Sequence, residues 1–216
     1  MIPLGRMQNP ARGFIDFSAA VIALVASILF LRAGTTGTAV GATVYAITLV
    51  TMFITSGLYH SIPWAQKWKT RMQRLDHSAI FLLIVGTYTP VVIVTFQGAW
   101  RIAILSLVWG AAILGIVLKF ALRGVKPALS MSLQMAIGWS AVASMFEVAR
   151  RLGSSTVWWI GVGGAIYSIG MVFKVTRWPK LAPRVFSSHE LFHLMVVAAA
   201  AVHFVTIVTR VLPAAS

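Results

Sequence analysis

Ser56–Asp76 reads SGLYHSIPWAQKWKTRMQRLD. It begins inside an apolar run, crosses a short basic loop and ends where the next apolar run starts. Ser56 and His60 are four residues apart, so on a helix they share one face. Asp76 opens the following run. A hydroxyl, an imidazole and a carboxylate thus gather at the edge of an apolar layer, where such groups are costly and usually mark function. Far along the chain, HELFH repeats the spacing with His189 and His193, at the start of the last apolar run.

Outward from this stretch, the chain divides into apolar runs at roughly 14–33, 38–60, 77–96, 101–118, 128–146, 156–173 and 190–212. Each approaches the ~20 residues a helix needs to cross ~30 Å of hydrocarbon. The connections are too short for any extramembrane domain. The expected fold is an all-α integral membrane protein, a seven-transmembrane-helix bundle forming one domain over 1–216. Composition agrees: 59% of residues are hydrophobic and 10% charged, a balance few soluble proteins have. There is no cysteine, which excludes disulfides, thiolate metal sites and cysteine nucleophiles.

The net charge of +14 would suggest nucleic acid in a soluble chain. Here the basic residues fall between apolar runs, so a lipid bilayer is the expected partner and nucleic acid is not. Alternating from the N-terminus, one side receives Arg6, Arg12, Lys67, Lys69, Arg71, Arg74, Lys119, Arg123, Lys126, Lys174, Arg177, Lys180 and Arg184. The other receives only Arg32, Arg101, Arg150, Arg151 and Arg210. The positive-inside rule makes the richer side cytoplasmic, with the N-terminus inside and the C-terminus external. The expected location is the plasma (inner) membrane, crossed several times.

Three local patterns carry further expectations. In the 61–75 loop, Trp64, Trp68 and Met72 recur every four residues with the cations off that stripe, as in a short amphipathic helix at headgroup level. Trp178, beside Arg177 and Lys180, reads as a similar anchor. In the sixth run, Gly161 with Ala165 and Gly164 with Ser168 have the small-xxx-small spacing of close helix contact. In the fifth run, Ser130, Ser132, Gln134, Ser140 and Ser144 either line a cavity or bond to their own backbone, and the second reading is favoured.

Alternation fixes depth. His60 ends the second run, Asp76 starts the third, and His189 and His193 start the seventh, so all lie on the cytoplasmic side. Ser56 is one turn deeper than His60, about 6 Å. Three imidazoles with an open fourth position suit a catalytic zinc, and a nearby carboxylate would orient or deprotonate its water. Imidazole also suits iron, nickel and copper. His203 lies about 15 Å beyond His193 along a helix, too far to share the ion, and reads as a packed histidine. His77 points about 100° from Asp76 and reads as supporting the site or lying at the interface. Glu190 is expected to cap the last helix, Glu147 to pair with Arg150 at the outer surface, and Asp16 to favour a helix start.

This set, Ser56-x3-His60, Asp76 early in the third run, and His189-x3-His193 in the seventh, resembles the hemolysin III family. That family is similar to the progestin and adipoQ receptors and more remotely to the alkaline ceramidases. DHSAIFLLIVGTYTPV at 76–91 is also very like it. The resemblance covers nearly the whole chain, although the short N-terminal segment departs from the receptor members, which carry a longer cytoplasmic region. It implies a seven-helix bundle with Zn2+ held by His60, His189 and His193, and with Asp76 and Ser56 beside the metal-bound water. The leading functional expectation is hydrolysis of an amide or ester bond in a membrane lipid, with Asp76 and Ser56 catalytic. The alternative is a receptor-like regulator of membrane homeostasis with a structural zinc, and a pore-forming hemolysin ranks last.

Overall fold

The computed structural model describes residues 9–32, 38–121, 127–180 and 186–215. Of the cations used to orient the chain, Arg6, Arg123, Lys126 and Arg184 lie outside the described residues. In order, the helices are α1 (Pro10–Arg32), α2 (Ala39–Ser61), α3 (Gln66–Thr95), α4 (Gly98–Ala121), α5 (Pro127–Trp139), α6 (Met145–Leu152), α7 (Ser154–Thr176) and α8 (Ser188–Thr206). A 3-10 segment, Ser140–Ser144, joins α5 to α6, and a π-helical turn, Ile207–Val211, extends α8. Among the described residues, seven helical spans are long and apolar enough to cross a membrane, with Leu129–Leu152 counting as one. A helix satisfies its own backbone polar groups, which lipid cannot do.

Consecutive helices pack as neighbours, most closely α1 on α2, α2 on α3 and α7 on α8, and α1 also touches α8. Small residues set the α2–α3 distance. A Cβ on Gly86 would stand 1.9 Å from Thr48 Oγ1, and one on Gly41 would stand 2.9 Å from Pro90 Cα. Thr48 Oγ1 is itself held near the Val44 and Tyr45 carbonyls, at 2.9 and 3.0 Å, so it has little freedom to move aside. The main core lies here, with Tyr45, Leu49, Met52 and Phe53 of α2 against Ala19, Ala23 and Ala79.

Three local expectations are corrected. The 61–75 stripe does not make a separate surface helix. From Gln66 onward it is the first turns of α3, which runs unbroken to Thr95 and puts Asp76 about three turns in. Trp64 precedes the helix and its Nε1 donates to the Leu58 carbonyl at 3.2 Å. The fifth run is not one α-helix, because side chains compete for its carbonyls. Tyr88 Oη donates to the Ile137 carbonyl at 2.7 Å, and Ser140 and Ser144 donate to carbonyls three residues back. Such bonds favour the tighter 3-10 winding seen there.

The third correction concerns the glycines of α7. Gly161 and Gly164 make no close helix contact: a Cβ on either would meet nothing within 4 Å. Gly163 and Gly170 make the close contacts instead, with a Cβ there 2.3 Å from His203 Nε2 and 2.7 Å from Met195 Cβ. α7 ends at Arg177, at φ 55° and ψ 31°. This left-handed conformation costs a non-glycine residue on the order of 1 kcal/mol.

Candidate metal centre

The packing brings one end of the bundle together: the start of α1, the end of α2, the first third of α3, the end of α7 and the start of α8. His60 comes from α2 and His189 and His193 from α8. Their candidate ligand atoms all lie within 4.8 Å of one another. The rings meet edge to face, with centroids 4.7 Å apart for His60 and His193 and 5.6 Å for His60 and His189. His60 and His193 are buried. His60 Nδ1 and His193 Nε2 are buried with no hydrogen-bond partner among the described residues. Buried polar atoms normally have one. Three converging imidazoles, two with orphaned nitrogens, fit a single metal ion.

The start of α8 is firmly set. Ser187 and Glu190 form a capping box, the serine hydroxyl accepting from the His189 amide at 3.2 Å and Glu190 accepting from the Ser187 amide at 2.7 Å. Glu190 therefore caps the helix as expected. It also takes an ion pair that the sequence did not suggest, Arg12 Nε to Glu190 Oε1 at 2.7 Å, which ties α1 to α8.

Asp16 is the site residue that sequence reasoning missed. It is no helix-start ornament but is 3% exposed inside the bundle. Its Oδ1 lies 3.0 Å and its Oδ2 2.9 Å from His193 Nδ1, and Ser56 Oγ donates to Oδ2 at 2.8 Å. A carboxylate on one nitrogen fixes the tautomer, so His193 turns its free Nε2 towards the other histidines. The available signal was an ionisable residue inside an apolar run, in a chain with only four acidic residues.

Ser56 is thus bonded to Asp16, and Asp76 also lies within its reach. Asp76 is buried and within electrostatic range of His193, Lys174 and Asp16. His77 lines the same space, and its carbonyl accepts from Gln134 Nε2 at 3.0 Å. His203 stands apart as expected, its Nε2 3.3 Å from the Ile160 carbonyl. Glu147 pairs with Arg150 as expected, and also with Arg151. In the fifth run, Ser140 and Ser144 do bond to their own backbone, whereas Ser130 accepts from buried Lys119 at 2.8 Å.

Behind the histidines lies a cavity of about 1090 Å³ that runs through the bundle. His60, His189, His193 and Asp76 line one end, and Tyr45, Met145, Ile160 and Ile207 line the rest with mainly apolar neighbours. Gly161 and Gly164 also line it, which explains their lack of side-chain contacts.

Asp16→Ala is expected to weaken metal affinity by roughly 10–100-fold, the usual effect of losing a carboxylate that orients a histidine ligand. Competition with a chromophoric chelator measures it. An unchanged affinity would show that Asp16 serves packing alone.

Comparison with known proteins adds an independent line. The family described as Haemolysin-III related matches residues 8–204. Hemolysin-3 of Bacillus cereus is 33% identical over 205 residues, covering 91% of this chain and 89% of that protein. The Hemolysin-3 homolog of Bacillus subtilis is 30% identical, covering 84% and 83%. The adiponectin receptor protein of Drosophila melanogaster is 31% identical over 150 residues, 61% of this chain and 33% of that longer protein.

Proposed function

This chain belongs to the Haemolysin-III related family, and on that premise we propose that it is a zinc-dependent membrane hydrolase acting on an amide or ester bond of a lipid. The observation that carries this reading is the large, mainly apolar cavity that opens directly on the histidine cluster. A purely structural metal would need no such space beside it. His60, His189 and His193 would hold the ion, a three-histidine set of the kind used by catalytic zinc. Zinc held there would supply a water activated for attack at neutral pH.

The chain's own residues do the rest. Asp16 holds His193 in one tautomer, and Ser56 holds Asp16 in place. Asp76, within reach of the same space, takes a proton from the attacking water and returns it to the leaving group. The apolar wall receives the acyl chain and excludes bulk water from the reacting bond. The richer cationic end of the bundle faces the cytoplasm, the membrane is the plasma membrane, and 1–216 forms one domain.

The experiment is an assay of purified, zinc-loaded protein against ceramide-type amides and ester lipids, with a chelator control. Chelator-sensitive hydrolysis of either class is expected. Its absence across both would favour a receptor-like regulator with a structural zinc. Reporter fusions are expected to place the N-terminus in the cytoplasm and the C-terminus outside, and both ends on one side would refute the seven-span alternation.

A further inference from the structure

A second cavity, of about 350 Å³, lies at the junction of α7 and α8. Arg12, Lys174, Arg177 and Lys180 all line it, with Ser187 and Ser188 at the start of α8. Acidic residues are absent from its wall among the described residues. Nearby Glu190 is already committed to Arg12 Nε and to Ser187. Lys174 Nζ lies over the face of Phe192 at 4.3 Å, with Asp76 within electrostatic range but outside the cavity wall. With Arg12 paired to Glu190, the remaining three cations, Lys174, Arg177 and Lys180, face one small space with no carboxylate in its wall, and repel one another unless an anion joins them.

Arg177 strengthens the point. It closes α7 in the left-handed conformation that glycine adopts at far lower cost. An arginine in that place brings a guanidinium to the cavity at the expense of backbone comfort. The amide end of α8 adds a partial positive charge on the same side. Arg12, Lys174, Arg177 and His189 line both this cavity and the large one, so the two spaces adjoin. A molecule with its chain in the large cavity can set a charged head in the small one.

We propose that Arg12, Lys174, Arg177 and Lys180 form a phosphate-binding site at the α7–α8 junction, which holds the headgroup of an anionic lipid beside the histidine cluster. The ordinary reading of these cations is topological, as residues that keep a loop inside. Lys67 and Arg71 fit that reading and line neither cavity. Guanidinium and ammonium groups gathered on one cavity suit the tetrahedral, multiply charged phosphate. The proposal concerns binding alone, so it stands or falls apart from whether hydrolysis is found.

The test uses the full chain in nanodiscs of phosphatidylcholine, with or without phosphatidic acid, and inorganic phosphate added to phosphatidylcholine discs. The readouts are thermal stability and lipid retained on purification. Phosphatidic acid is expected to raise the unfolding temperature of the wild type and to be retained. The double variant Arg177→Gly/Lys180→Ala is expected to lose that shift, with affinity falling about tenfold per cation removed. Because glycine suits the left-handed position, this variant should fold at least as well as the wild type without ligand. A shift from inorganic phosphate, with nothing added by phosphatidic acid, supports the same site with a soluble source. No shift in the wild type from either probe, or an equal shift in the double variant, overturns the site. Loss of the shift in Lys67→Ala/Arg71→Ala to the same degree also overturns it, because general surface charge would then explain the effect.

Discussion

Purified wild-type protein is expected to carry one zinc ion per chain, and His193→Ala to lose nearly all of it. The expectation rests on the convergence of His60, His189 and His193 within 4.8 Å. His193 is the most constrained of the three, buried and held through Nδ1 by Asp16. Removing its ring deletes one ligand and leaves the Asp16 carboxylate without a partner on that side. The loss should exceed the roughly 10–100-fold expected of Asp16→Ala, which removes only the support. His60→Ala and His189→Ala should behave alike. His203→Ala is the control, since that ring is bonded to the Ile160 carbonyl, away from the cluster. Metal analysis of each purified variant decides the matter, and full occupancy in His193→Ala would refute the ligand set.

The second large effect concerns Asp76. Asp76→Asn preserves shape and volume but removes the base, so zinc should remain bound while lipid hydrolysis falls about 10²–10⁴-fold. If Asp76 were itself a ligand, zinc would leave with the substitution, as in the histidine variants. Zinc content and turnover on the same samples separate the two. Loss of metal in Asp76→Asn would defeat the proton-transfer role and leave Asp76 as part of the metal's own binding set.

Much of this architecture was legible in the order of residues. The seven apolar runs appear as spans because a bilayer imposes one length on every crossing. His60, Asp76, His189 and His193 could be assigned to one end because alternation converts sequence position into depth. Rotation about each helix axis was not legible. Gly161 and Gly164 have the spacing of a packing motif, yet the neighbour that would fill their face is absent, and Gly163 and Gly170 meet α8 instead. Asp16 was misread for the same reason, since its role depends on a histidine 177 residues later in the chain. The break at 140–144 was hidden because Tyr88, from a different helix, draws off the Ile137 carbonyl.

The pairing of Asp16 with His193 has a consequence for biogenesis. The two groups belong to the earliest and latest spans described, so they emerge from the ribosome far apart in time. At about 5–20 residues per second, roughly 10–35 s separate them. Through that interval Asp16 waits in a nascent, half-inserted chain, with Ser56, 40 residues behind it, as the first companion to arrive. Insertion of α8 then ends the wait, and the same event delivers Glu190 to Arg12. A chain stopped before α8 would hold Asp16 with Ser56 but without its imidazole, leaving a half-partnered carboxylate at a depth where such a group is costly.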